Sequence, residues 1–238
     1  MPAFSIRYLL LFFSLAGFTA SALAQTDAVE KKEADILLRV ICSQPVEGAT
    51  DLKLVQNEVP LHDVKVVSSL LTDPIKVGRG ELALAKISGS GKDLVIDPVV
   101  KFAIPAAGNR FVLAIFPSAE DPPKAPYQHL LIRTDGLVFK ASDLYLFNLT
   151  KAPIAGGLGK STFVLPPGQS KVVTPDPERE DKGMYQARFY HQVDGDTHLF
   201  NDTRWPVSTT ARVYLFFIPD PVRNSFGYVS FREYAPFP

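Results

Sequence analysis

The sequence predicts an all-β protein, and three observations carry that expectation. Short apolar or alternating runs recur about every 8 to 17 residues, with turn signals between them. The 20 prolines are spread along the chain and leave almost no window for a long helix. Several runs, among them Val213 to Ile218, Phe111 to Phe116 and Leu144 to Phe147, are apolar at every position. Successive side chains of a strand point to opposite faces, so such strands need cover on both sides. Sheets packed on sheets meet that need. The expected architecture is two packed antiparallel β-sandwich (Ig-like) domains, with one large β-sandwich as the competing topology.

Residues 1–24 stand apart as a signal peptide. Arg7 is their only charge, residues 8–18 form an apolar core, and Ala22-Leu23-Ala24 offers a small-residue cleavage site before Gln25. The core is shorter than the roughly 20 residues a membrane-spanning helix needs. Cys42 lies well beyond it and follows Arg39-Val40-Ile41, which does not suit a lipid-attachment site. Residues 25–34 are polar and charged and read as a flexible lead-in.

Strands are then predicted near 35–42, 51–56, 61–68, 80–87, 94–103 and 110–117. The turns between them rest on Gly78-Arg79-Gly80, Ser88-Gly89-Ser90-Gly91 and Gly108-Asn109. The stretch 118–126, rich in proline and charge, is the expected linker between an N-terminal domain (35–117) and a C-terminal one (127–238); in the competing single-sandwich topology, 117–126 is instead a long hairpin loop. Further strands are predicted near 127–134, 142–150, 161–165, 169–174, 184–193, 197–204, 209–218 and 225–234, with Asp135-Gly136 and Asp194-Gly195 as turns. A faint internal echo suggests duplication. Glu81-Leu82-Ala83-Leu84, followed by Pro105, aligns with Asp143-Leu144-Tyr145-Leu146, followed by Pro166.

Composition limits function. Lys+Arg and Asp+Glu are 25 each, and loss of Arg7 with the leader leaves a net charge of −1. That balance offers no field for nucleic acid or an anionic membrane, and no integral membrane segment follows the leader. One cysteine excludes a disulfide framework and a Cys-based zinc module. An exported chain without disulfides suits the bacterial periplasm or exterior. The triplets Asn148-Leu149-Thr150 and Asn201-Asp202-Thr203 match a glycosylation acceptor that most bacteria leave unread.

No catalytic constellation emerges. Gly156-Gly157-Leu158-Gly159-Lys160-Ser161-Thr162 has the ending of a phosphate-binding loop, but Ile154 replaces its first glycine. Phe163-Val164-Leu165-Pro166-Pro167 follows where a helix should begin, so the string reads as a glycine-rich turn. The charged run 176–182 reads as a solvated loop, there is no Gly-x-Ser-x-Gly, and no cofactor is implied.

Two candidate sites remain. In the hairpin around Asp194-Gly195, a two-residue turn would set His191 opposite His198 with Cβ atoms about 5 Å apart, close enough to share a metal with Asp196 on the same face. A three-residue turn over 194–196 would instead pair Gln192 with His198, Arg188 with Asp202 and Tyr190 with Phe200. Its charge and aromatic pairings make that register the preferred one, and the metal site then dissolves. The second candidate is aromatic. Thirteen of the 26 aromatic residues lie in 185–238, where most sit in apolar runs as core residues do. Trp205, Tyr228 and Tyr234 have polar or proline neighbours and are the candidate ligand-binding residues.

The strings Tyr145-Leu146-Phe147-Asn148-Leu149-Thr150, Phe163-Val164-Leu165-Pro166-Pro167-Gly168, Arg204-Trp205-Pro206-Val207 and Tyr214-Leu215-Phe216-Phe217-Ile218-Pro219-Asp220 occur in that order. In this, 127–233 resembles uncharacterised exported all-β proteins of bacteria with complex envelopes. The resemblance implies no assigned activity and no site residues. The resulting expectation is a non-enzymatic exported module with a binding or structural role in the cell envelope, its partner an unknown envelope protein or glycan. The competing expectation is a carbohydrate-binding or carbohydrate-active protein using the C-terminal aromatics.

Overall fold

The computed structural model describes residues 35–44, 51–65, 68, 70–118, 127–177, 183–193, 195–220 and 225–235. The signal peptide and lead-in expected over 1–34 lie outside them, as does 119–126 of the expected linker. Among the described residues no helix is long and apolar enough to cross a membrane.

Among the described residues, sixteen strands follow one another. The first eight are β1 (Ile36–Cys42), β2 (Asp51–Gln56), β3 (Val59–Lys65), β4 (Ile75–Val77), β5 (Gly80–Ser88), β6 (Val95–Ile104), β7 (Arg110–Pro117) and β8 (Tyr127–Arg133). The second eight are β9 (Leu144–Asn148), β10 (Ile154–Leu158), β11 (Ser161–Leu165), β12 (Ser170–Val173), β13 (Met184–Val193), β14 (Asp196–Pro206), β15 (Ala211–Asp220) and β16 (Ser225–Tyr234).

The strands form four four-stranded sheets, ordered β4-β1-β7-β8, β3-β2-β5-β6, β12-β9-β15-β16 and β11-β10-β13-β14. Adding eight to each label of the first pair of sheets reproduces the second pair. The pairing senses repeat too: β1 runs parallel to β7 and β9 parallel to β15, while the other pairs are antiparallel. The fold is thus a tandem repeat of an eight-stranded β-sandwich, 36–133 and 144–234.

Three apolar clusters hold it together. Leu38, Leu54, Leu84 and Leu113 belong to the first, between the first two sheets. Leu146, Phe189, Leu215 and Phe217 belong to its counterpart in the second repeat. The third joins the repeats: Ile41, Val112, Ala114 and Phe116, from the outer face of the β1–β7 sheet, meet Tyr145, Tyr214, Phe216 and Phe231 from the β9–β15 sheet. This is the two-sided cover that the doubly apolar strands require, and it makes Ala34–Pro238 one compact unit.

The repeat boundary falls elsewhere than expected. β8 pairs with β7 from Phe111↔Arg133 to Pro117↔Tyr127, so 118–126 joins the arms of one hairpin. The passage between repeats is 134–143 instead. A proline-rich segment breaks ladders equally well at a hairpin tip and at a domain border, which is why its composition misleads. The echo was misaligned for a related reason: β9 corresponds by position to β1, not to β5.

β4 and β10 were not foreseen, and β10 matters more. The glycines of Ile154-Ala155-Gly156-Gly157-Leu158 read as a turn, yet β10 is an inner strand of its sheet. Gly156 fits because a Cβ there would lie 2.6 Å from Phe163 Cζ and 2.7 Å from the Arg188 carbonyl oxygen. The turn itself is confined to Gly159 and Lys160. Gly159 has φ +64°, and a Cβ would sit 2.0 Å from the Asp176 carbonyl oxygen.

Candidate functional site

The site begins with the alternation of β16. Val229, Phe231 and Glu233 point toward the first repeat, where Phe231 is buried in the joining cluster. Tyr228, Ser230, Arg232 and Tyr234 point the other way, into a cleft of about 410 Å³ at one end of the second sandwich. Across that cleft β14 supplies Trp205 and Pro206, β13 supplies Tyr185, and the segment 207–210 supplies Val207, Ser208, Thr209 and Thr210. All three aromatic candidates from the sequence therefore line one cavity.

Trp205 and Tyr228 are half-buried and pack on the second core, with ring centroids 5.5 Å apart. Phe189 stands edge-on to both, at 5.6 and 5.5 Å, and Tyr185 is edge-on to Trp205 at 6.3 Å. Tyr234 is 59% exposed. One wall is thus rigid and the rim is open.

Polar groups complete the lining. The Tyr228 hydroxyl donates to Asn201 Oδ1 at 3.4 Å, and Asn201 is held in turn by its Nδ2 donating to the Ala187 carbonyl at 2.8 Å. Burial raises the Tyr228 phenol, against a lowering hydrogen bond with Thr203. Burial pushes the Tyr185 phenol up to about 12 against the pull of the Arg232 guanidinium, so it stays neutral at ordinary pH. Among the described residues, Arg232 is the one charged side chain in the lining.

The rim at 207–210 is braced. Ser142 Oγ donates to the Ser208 carbonyl at 2.7 Å, the Ala211 amide to Ser208 Oγ at 2.9 Å, and the Val207 amide to the Gly183 carbonyl at 2.7 Å. Ser142 adopts φ +77°, a left-handed conformation that a serine holds only when its surroundings fix it. Sequence reasoning missed Tyr185, Arg232, Ser142 and the 207–210 rim. Arg232 was within reach, since period-two alternation from Tyr228 selects Ser230, Arg232 and Tyr234.

The histidine candidates lie at the other end of β13 and β14. The ladder there reads Val193↔Asp196, Gln192↔Thr197 and His191↔His198, so the two-residue turn prevails near the tip and the preferred register is overturned. The expected Arg188↔Asp202 pair still forms, because a bulge between Phe189 and Tyr190 absorbs one residue and leaves Tyr190 opposite Leu199. The imidazoles stack at 5.4 Å between centroids and 25° between planes. His191 is buried and its pKa is lowered, first by burial and then by His198. Among the described residues, no group of three His, Cys, Asp or Glu side chains gathers anywhere, so Asp196 does not complete a ligand set.

Compared with models of protein families and with curated proteins, the chain matches none.

Proposed function

We propose that the chain is an exported, non-enzymatic binding module of the bacterial cell envelope, with the Trp205–Tyr228–Tyr234 cleft as its ligand site. The observation that carries this reading is the convergence of those three aromatics, half a strand apart or more in sequence, on one braced cavity. Its volume lies within the range of small-molecule sites, and it mixes aromatic walls with a few directed polar groups. The leader-like residues 1–24 and the lone cysteine support export.

A specific observation favours a glycan as the ligand. Aromatic faces accept the C–H surface of a sugar ring, while the Ser208, Thr209, Thr210 and Ser230 hydroxyls and the Tyr185 phenol meet its hydroxyls. A single cation among the described lining residues suits a neutral or weakly acidic sugar better than a polyanion. Affinity electrophoresis through gels containing soluble polysaccharides tests this. Retardation on at least one glycan is expected, abolished by Trp205→Ala and by Tyr234→Ala. The exposed Tyr234 can be truncated at little cost to the fold, so the second variant separates lost binding from lost structure. No retardation on any glycan ends the carbohydrate reading. Turnover of glycoside, ester or peptide substrates that a point mutation in the cleft abolishes ends the non-enzymatic one.

A further inference from the structure

We propose that His191 and His198 form a binding site for a divalent transition-metal ion of the copper(II) type, separate from the aromatic cleft. The register makes the pair. With no bulge at Phe189/Tyr190, the pairing of Arg188 with Asp202 would continue to set His191 opposite Leu199 and His198 opposite Gln192. The bulge shifts the ladder by one residue and brings the two imidazoles face to face. Bulges characteristically re-aim a side chain in this way.

The two rings have different surroundings. His191 is more than nine-tenths buried, edge-on to Phe226 at 4.4 Å and tilted against Phe200 at 5.7 Å. Its partner on β10 is Ile154. Its Nδ1 is buried without a hydrogen-bond partner, a lone pair or proton that the apolar wall leaves unanswered. His198 is exposed and gives an ion and its waters access from solvent.

Donor number selects the metal. Two imidazoles without a third protein ligand do not build the closed tetrahedral site that structural zinc requires. A tetragonal shell of two nitrogens and water oxygens suits copper(II), which also heads the affinity order of the divalent first-row ions.

The test is titration of the purified chain with copper(II) alone, followed by binding stoichiometry and electron paramagnetic resonance. One tightly held ion per chain is expected, with a spectrum showing two imidazole nitrogens. His198→Ala, at an exposed position, should weaken that ion at least roughly ten-fold, since losing a ligand costs no less than losing an outer-shell partner. His191→Phe keeps the aromatic packing and should act alike. Binding should also fade on acidification, as protons reclaim the lone pairs. Uptake by the double variant equal to that of the parent chain overturns the proposal, because His62, His129 or a backbone site would then be responsible. A spectrum without two imidazole nitrogens overturns it as well, and leaves the stacked rings as packing.

Discussion

Replacing Glu233 by Gln should cost the fold about 3 kcal/mol, and the structure shows where that figure comes from. The Glu233 side chain is 1% exposed at the junction of the repeats. Arg39 Nη1 of β1 donates to its Oε1 at 2.7 Å, while Arg212 Nε and the Tyr214 hydroxyl donate to Oε2 at 2.7 and 2.9 Å. The substitution keeps size and shape but removes the charge, and it turns one acceptor into an NH₂ that must face a donor. Removing one partner from a buried ion pair costs about 3–5 kcal/mol. The lower end applies because Arg212 keeps the Phe139 carbonyl at 2.8 Å and the Phe139 ring at 4.7 Å, and Arg39 is 19% exposed and can rehydrate. In a unit of this size, about 3 kcal/mol should lower Tm by roughly 6–12 °C. Urea unfolding of the parent chain and Glu233→Gln, followed by far-ultraviolet circular dichroism, measures it. Asp63→Asn is the control, since Asp63 pairs with Lys53 on the surface and should change stability by no more than about 0.5 kcal/mol. A loss below about 1 kcal/mol for Glu233→Gln would refute the view that this carboxylate holds the repeats together.

Adjacent glycines of β10 should respond in opposite ways. Gly156→Ala forces a Cβ against the Phe163 ring and the Arg188 carbonyl and should destabilise by about 1–3 kcal/mol, whereas Gly157→Ala meets nothing nearer than 3.8 Å and should gain about 0.5–1 kcal/mol. Equal effects in denaturant titrations would contradict the packing described for β10. For pH, burial lowers the folded-state pKa of His191 and of His129 below the ordinary 6.5. Each therefore contributes stability that is complete above about pH 6.5 and is lost as pH falls through its folded-state value. With a chelator present, the urea midpoint should drop between about pH 7.5 and about pH 5, and His191→Phe should drop less. An equal drop in that variant would place the acid sensitivity elsewhere.

Much of this molecule was legible in local pattern, because strand periodicity, turn residues and doubly apolar runs are properties of a few consecutive residues. Val213 to Ile218 called for cover on both faces, and the two cores on either side of β15 supply it. What escaped depends on distant partners. Arg39 and Glu233 are 194 positions apart, and nothing beside either one announces the pair. The strand character of Gly156 is visible only once Phe163 occupies the space a Cβ would need. Asn148, which matches a glycosylation triplet, is fully buried, with its Nδ2 donating to the Ala152 and Leu165 carbonyls. The histidine register failed for a similar reason. Both turn lengths were partly right, since a bulge lets the tip follow one and Arg188 follow the other. The aromatic cleft came through in outline because its members carry polar neighbours. Its rim did not, since Ser142 reaches Ser208 across 66 residues.

Trp205 is the only tryptophan in the chain and forms a wall of the cleft, so its emission reports on the proposed site without any label. The most direct test of the central claim is a fluorescence titration of the purified chain with a panel of soluble oligosaccharides. The account predicts a saturable change in Trp205 emission with at least one of them, absent in Tyr234→Ala although that variant melts with the parent chain. Emission unmoved by every ligand that the chain retains by an independent assay, or a change that survives Tyr234→Ala and Tyr228→Ala alike, would contradict it.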